Sequence, residues 1–382
     1  MMISDYAQQV TSFIVMDIQD KAKEMEAAGE NIIHLEIGEP DFNAPSIVKE
    51  ATIAALNNDD THYTHSLGKI SLREAIAAYY KRNYGVAIEK NRIIVTSGTS
   101  PAMVMTLAAL LNDGDEVIIP NPYYACYPNF IKIFRGIVKD INVEEQDGFK
   151  YNIAALKAAI TPKTKAIIIN SPANPTGAVY SAQELQDIAS LDHTIIADEI
   201  YHGLVYEGEC HSILEYTDNA VVLNGFSKLF AMTGFRMGYA IVPQEMSRTF
   251  QKLQQNFYLC AGSFPQEGAI AALTGDCAAE LENMKKIYNE RRLYLAQRLQ
   301  EMGIAPLCTP QGAFYMLANV KEYTADSYNF ALDILKNAKV ALTPGIDFGS
   351  NAQGYLRISY ANSLENIKEG LNRLDNYLQT LK

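Results

Sequence analysis

Three charged residues in one stretch of the chain have the types and spacing for carbonyl and phosphate chemistry. Asp198 follows Thr194 to Ala197, all apolar or β-branched, which puts it at the mouth of a buried strand. A carboxylate there needs a cationic partner. Lys228 comes 30 residues later and closes the next strand in the small, mostly apolar run Asn224-Gly225-Phe226-Ser227-Lys228. Desolvation in such a setting lowers an amine's pKa and frees it to attack a carbonyl. Arg236, eight residues further, offers the planar fork that takes two phosphate oxygens. Gly98-Thr99-Ser100 lies at a strand-to-helix junction, where backbone N–H groups, hydroxyls and the positive helix end form an anion cup.

A carboxylate to keep a ring nitrogen protonated, a lysine for a Schiff base, a phosphate cup and an arginine clamp together match pyridoxal 5'-phosphate. Other readings of the same chain are weaker. His62 and His65, or His202 and His211, have no third His or Cys ligand at a familiar metal spacing, so no metal is expected. Gly68-Lys69-Ile70 lacks the Ser/Thr and the preceding glycine of a P-loop, and no G-x-G-x-x-G occurs. Asn174-Pro175-Thr176-Gly177 taken alone reads as a turn.

These residues need elements to position them. Apolar β-rich runs at Ile93–Thr96, Glu116–Ile119, Ile137–Val143, Ala166–Asn170, Thr194–Ala197, Ala220–Leu223 and Gly238–Val242 alternate early on with helical patterns at Met103–Leu111, Ala154–Ile160 and Ala182–Ser190. The pattern predicts an α/β chain whose large domain, near 46–285, holds a mostly parallel seven-stranded sheet between helices. Ligands of such sheets bind beyond the strands' carboxyl ends, where the candidate residues fall. Long amphipathic helices then run to about Gly303, followed by short strands at Ala313–Leu317 and Tyr355–Ser359. These, with the first 45 residues, predict a smaller α+β domain of 1–45 and 286–382.

Composition narrows the partners. The chain has 382 residues, 48% apolar and 20% charged, enough for about two domains. Its net charge is 32 − 44 = −12, which repels phosphate backbones and anionic lipid, so neither nucleic acid nor membrane is an expected partner. No run approaches the roughly 20 apolar residues that span a bilayer. Five cysteines, Cys126, Cys210, Cys260, Cys277 and Cys308, lie far apart with no C-x-x-C pair, and the opening MMISDYAQQV has no basic start of a signal peptide. A cytoplasmic location is expected.

The chain resembles the fold-type I, class I/II aminotransferases, the aspartate aminotransferase superfamily. The resemblance runs from Leu35-Glu36-Ile37-Gly38-Glu39-Pro40-Asp41 to Leu356-Arg357-Ile358-Ser359-Tyr360. Its most specific parts are Ser171-Pro172-Ala173-Asn174-Pro175-Thr176-Gly177, Asp198-Glu199-Ile200-Tyr201, and Ser227-Lys228 through Thr233-Gly234-Phe235-Arg236-Met237-Gly238-Tyr239. The resemblance implies that Lys228 holds pyridoxal phosphate as a Schiff base and acts as general base and acid. Asp198 would pair with the ring nitrogen, Asn174 and Tyr201 would bond the phenolic oxygen, and Tyr124 would stack on the ring. Gly98, Thr99, Ser100, Ser227 and Arg236 would surround the phosphate, joined by Tyr63 from the neighbouring subunit of a homodimer with shared sites. Gly38, Asn174 and Arg357 would hold the substrate α-carboxylate.

The activity implied is ping-pong transfer of an amino group from an L-amino acid to a 2-oxo acid. A β-lyase or cyclising enzyme using the same cofactor, and a catalytically idle regulator, are the alternatives. Substrate choice is expected to rest on segments near Phe13, Ile14 and Tyr63 to Gly68. Apolar Phe13-Ile14 suits a neutral or aromatic side chain. Ser100, where aspartate-preferring relatives often place a lysine, counts against a dicarboxylate.

Overall fold

The structure, a computed structural model, describes residues 3–382. Seven strands form the central sheet: β1 (Ile93–Thr96), β2 (Glu116–Asn121), β3 (Ile137–Asn142), β4 (Thr164–Asn170), β5 (Ile195–Asp198), β6 (Ala220–Gly225) and β7 (Gly238–Ile241). Their spatial order is 1-7-6-5-4-2-3, and all neighbours are parallel except β7, which runs antiparallel to both β1 and β6.

Alternation along the strands explains why the sheet is covered on both faces. Ile167 and Ile169 of β4, Ile195 and Ala197 of β5, and Ala220 and Val222 of β6 join one apolar cluster. Their neighbours Ala166, Ile168, Ile196, Val221 and Leu223 join another on the opposite face. Since both sets are apolar, the runs show no polar positions, as strands buried on two faces must.

A third cluster is built from both chain ends. It takes Ile18 and Ala22 from the helix Ile14–Ala27, then Leu299, Phe314, Ile334, Leu356, Ile358 and Leu371 from the last hundred residues. Here β8 (Tyr315–Asn319), β9 (Thr343–Pro344) and β10 (Tyr355–Ser359) form an antiparallel sheet in the order 9-10-8. The helix Ala278–Met302 is continuous through residue 285 and stops at Gly303, whose left-handed φ of 77° suits a residue without Cβ.

Among the boundaries that differ from expectation, two have local reasons. The helix after β1 starts at Thr99 rather than Met103, because its first turn, Thr99-Ser100-Pro101, is mostly polar and carries no apolar period. That turn tolerates Pro101 because its N–H would have no intrahelical partner. Strand β8 starts at Tyr315 rather than Ala313, because Ala313 has φ 57° and cannot continue an extended chain.

Candidate active site

A cavity of about 230 Å³ opens beyond the carboxyl ends of the central strands. Lys228, Asp198 and Tyr201 line it together with Thr99, Ser100 and Tyr124. Gly38, Asn174 and Arg357, from distant parts of the chain, complete the wall. Gly98, Ser227 and Arg236 do not line it. A Cβ on Gly98 would lie 2.6 Å from Arg236 Nη2, so the glycine lets the guanidinium approach the start of the helix Thr99–Leu110. Tyr63 is different: it is 84% exposed and off the cavity.

Asp198 ends β5 beside Asn170 of β4, its register partner. No cation bonds its carboxylate among the described residues. Instead the Tyr127 hydroxyl donates to Oδ2 at 2.7 Å and the Ile200 N–H to Oδ1 at 3.2 Å. Burial outweighs these donors and holds the carboxyl above its usual range. Asp198 therefore lacks a directly bonded cation, a place that a protonated ring nitrogen would fill.

Lys228 Nζ donates to the Gly38 carbonyl at 2.6 Å. Desolvation first, and then the cations Arg357 and Arg236, pull its pKa down to about 8. About a tenth of such a lysine is the free amine at pH 7, several hundred times more than for an ordinary lysine.

Arg357, 2% exposed, lies in β10. Nη1 donates to Asn174 Oδ1 at 3.0 Å, and Nη2 donates to the Glu36 carbonyl and, at 3.1 Å, to Thr343 Oγ1. The rings of Tyr315 and Phe348 lie 4.4 and 4.9 Å from its guanidinium carbon, and Nε has no hydrogen-bond partner. A buried guanidinium that, among the described residues, bonds no carboxylate is a ready anion site.

The family model for aminotransferase class I and II matches residues 30–374. The chain belongs to this family. It is 42% identical to a (5-formylfuran-3-yl)methyl phosphate transaminase of Methanocaldococcus jannaschii, over 99% of this chain and 100% of the relative. Identity to aromatic-amino-acid aminotransferase 2 of Thermococcus litoralis is 36%, covering all of both chains. Among solved structures, an aspartate aminotransferase of Thermus thermophilus, as a single mutant, superposes with a TM-score of 0.94 at 35% identity, covering 98% of this chain and 99% of that one. The chain is thus an aminotransferase, and its family is known to use pyridoxal phosphate.

Several residues of this aminotransferase's site were not legible in the sequence. Tyr127, which donates to Asp198, sits three residues after Tyr124 at the start of a short helix, and that spacing was the available signal. Asn170 ties Asn174 to the sheet, its Oδ1 accepting from Asn174 N at 2.7 Å and its Nδ2 donating to the Asp198 carbonyl at 2.9 Å. Glu199, buried behind Asp198, accepts from Tyr80, Ser212 and the Ile213 N–H, and burial pushes it up to about 8. Asp347 accepts from the N–H groups of Ile14 and Val15 at 3.0 and 3.2 Å. This pins the helix whose residues Phe13, Val15, Met16 and Gln19 face the cavity; Ile14 does not line it.

Gly38 carries a further consequence of close packing. Any Cβ there would collide with the Tyr315 hydroxyl. Gly38→Ala is expected to displace Tyr315 and the Lys228 acceptor together, costing about 1–3 kcal/mol of stability. A thermal melt and the KM for both substrates check this; an unchanged melting temperature and KM would remove Gly38 from the site.

Proposed function

We propose that this aminotransferase binds pyridoxal phosphate on Lys228 and transfers amino groups by a ping-pong cycle, each half-reaction using the same cavity. What supports the reading most is that Lys228, depressed to about 8, shares one cavity with Asp198, a buried carboxylate short of a cation. The bound cofactor supplies an electrophilic carbon for amines and a ring that takes up the electron pair left at the substrate Cα.

The chain's own residues do the rest. Asp198 holds the proton on the ring nitrogen, and Tyr201 and Asn174 bond the phenolic oxygen. Tyr124 covers one ring face, its own ring edge-on to Phe13 with centroids 6.1 Å apart. The N-terminus of the helix Thr99–Leu110, with Gly98, Thr99, Ser100, Ser227 and Arg236, receives the phosphate. Arg357, with Asn174 and Gly38, orients the α-carboxylate so that the Cα proton faces Lys228 Nζ. The freed amine removes that proton and returns one, as base and then acid.

We further propose a cytoplasmic homodimer and a division into a large unit of 46–285 and a small unit of 1–45 and 286–382. Phe13, Val15 and Met16 give the cavity an apolar outer wall that suits neutral or aromatic side chains. The test is borohydride reduction with peptide mapping, followed by an amino-donor panel with pyruvate and 2-oxoglutarate. Label on Lys228 and keto-acid-dependent turnover, highest with neutral or aromatic donors, are expected. Label on another lysine would sink the assignment, turnover without a keto acid would mean a lyase, and an aspartate or glutamate optimum would overturn the donor class.

Tyr63 carries the dimer proposal, since an aromatic side chain this exposed has a use if it enters a partner's phosphate site. Mixing Lys228→Ala chains with Tyr63→Ala chains is expected to restore part of the lost activity. Stable mixed dimers as inactive as their parents would rule out shared sites.

A further inference from the structure

Tyr315 has no role in the scheme above, yet it lines the cavity beside Tyr201. Its oxygen is 2.8 Å from the Tyr201 oxygen, and both side chains are buried. It also packs so closely over Gly38 that a Cβ there would collide with it. Only one proton can lie between two phenols, so one hydroxyl donates and the other keeps its proton for a different acceptor. If Tyr201 donated, the Tyr315 proton would be left without an acceptor, since among the described residues its hydroxyl has no partner besides Tyr201. If Tyr315 donates, both protons are used.

The electrostatics agree. The Arg357 guanidinium carbon lies 4.4 Å from the centroid of the Tyr315 ring. Burial raises both phenols, but the cation counts second among the influences on Tyr315 and lower among those on Tyr201, which is pushed well above its usual value. Tyr315 is the better donor of the two.

We propose that Tyr315 is a positioning residue: its hydroxyl donates to the Tyr201 oxygen and thereby aims the Tyr201 proton into the cavity, at the phenolic oxygen of bound pyridoxal phosphate. The proposal rests on the cofactor reading given above. A hydrogen bond received on the Tyr201 oxygen also polarises its O–H and strengthens the bond it donates. The cofactor's phenolic oxygen needs that donor most when the imine nitrogen beside it has lost its proton. Tyr201, correctly aimed, therefore lowers the pH at which the bound cofactor's visible absorbance changes.

The test is a pH titration of that absorbance in the intact enzyme. Tyr315→Phe keeps the ring beside Arg357 and removes only the hydroxyl. Its midpoint is expected to rise by roughly half to one pH unit, the size of one ordinary hydrogen bond. Tyr201→Phe is expected to shift it further in the same direction, and Tyr201→Phe/Tyr315→Phe no further than Tyr201→Phe alone, because Tyr315 acts through Tyr201. Placing 3-fluorotyrosine at position 315, a more acidic phenol of nearly the same shape, is expected to move the midpoint down. This second variant tests the idea even if Tyr315→Phe folds poorly.

An unmoved midpoint in Tyr315→Phe, full additivity in the double variant, or an upward shift with fluorotyrosine overturns the proposal. A residue that merely filled space would not give opposite signs. A wild type that takes up no pyridoxal phosphate would overturn the cofactor reading, and this proposal with it, at the first spectrum. A wild type that binds cofactor but whose variants do not shift overturns the role of Tyr315 alone.

Discussion

Lys228→Ala is expected to lower turnover by at least about 10⁵-fold while leaving the fold and cofactor uptake intact. Two losses would combine: the amine proposed to anchor the cofactor and the group proposed to carry the Cα proton. General acid–base catalysis contributes about 10²–10⁴-fold by itself, and loss of the covalent step adds to it. The fold should survive because Lys228 makes one hydrogen bond, to the Gly38 carbonyl, and its burial costs rather than contributes stability while it is charged. The check is single-turnover absorbance with an amino acid. The variant should bind cofactor reversibly, show no borohydride label, and recover part of its rate with small added amines. A variant turning over within tenfold of wild type would mean that another group moves the proton.

The pKa behind that argument has its own signature. Because the folded-state pKa of Lys228 is depressed to about 8, the rate at which cofactor-free protein takes up pyridoxal phosphate should rise about tenfold per pH unit up to pH 8 and then level off. A rise continuing to pH 10 would show that Lys228 is not desolvated as described.

Asp198→Asn is expected to reduce turnover by roughly three orders of magnitude, or about 4 kcal/mol of transition-state stabilisation, with little change in KM. Asn keeps the size of Asp198 and can still meet Tyr127 and the Ile200 N–H, but it cannot balance a protonated ring nitrogen. Stability should move the opposite way. The Asp198 carboxyl is raised above its unfolded value of 3.8, so folding favours its neutral form. Its ionised form therefore destabilises the cofactor-free protein above the folded pKa, and this penalty disappears as pH falls below 3.8. Cofactor-free Asp198→Asn should melt higher than wild type at pH 7, and the two should converge in acid. Near-native turnover, or a lower melting temperature at pH 7, would mean that Asp198 does not face the ring as an uncompensated charge.

Legibility followed distance along the chain. Asp198, Lys228 and the cup at Gly98 to Ser100 were readable because each sits at the end of an apolar run or at a strand-to-helix junction, and strand ends are where a parallel sheet exposes functional groups. Sheet class was readable for the same reason: runs such as Ile167-Ile168-Ile169 have no polar alternation and demand cover on both faces. Tyr63 by its own type and place was only a loop aromatic, its role at a neighbouring subunit's phosphate came from the family resemblance, and one chain leaves it exposed.

By itself, the sequence determined the parallel sheet, the family, and the residue types at the mouth of the cavity, because these depend on short runs whose periodicity and turn chemistry act within a few residues. Tertiary structure decided which groups meet. Arg357 reaches Asn174 across 183 positions, Tyr315 reaches Tyr201 across 114, Tyr127 reaches Asp198 across 71, and Asp347 caps a helix that begins 333 residues earlier. Such pairs leave no local pattern, since each partner is an ordinary residue in its own segment. Only close packing of the finished fold removes water from between them, and it is this desolvation that depresses Lys228 and raises Asp198, the two groups proposed to do the chemistry.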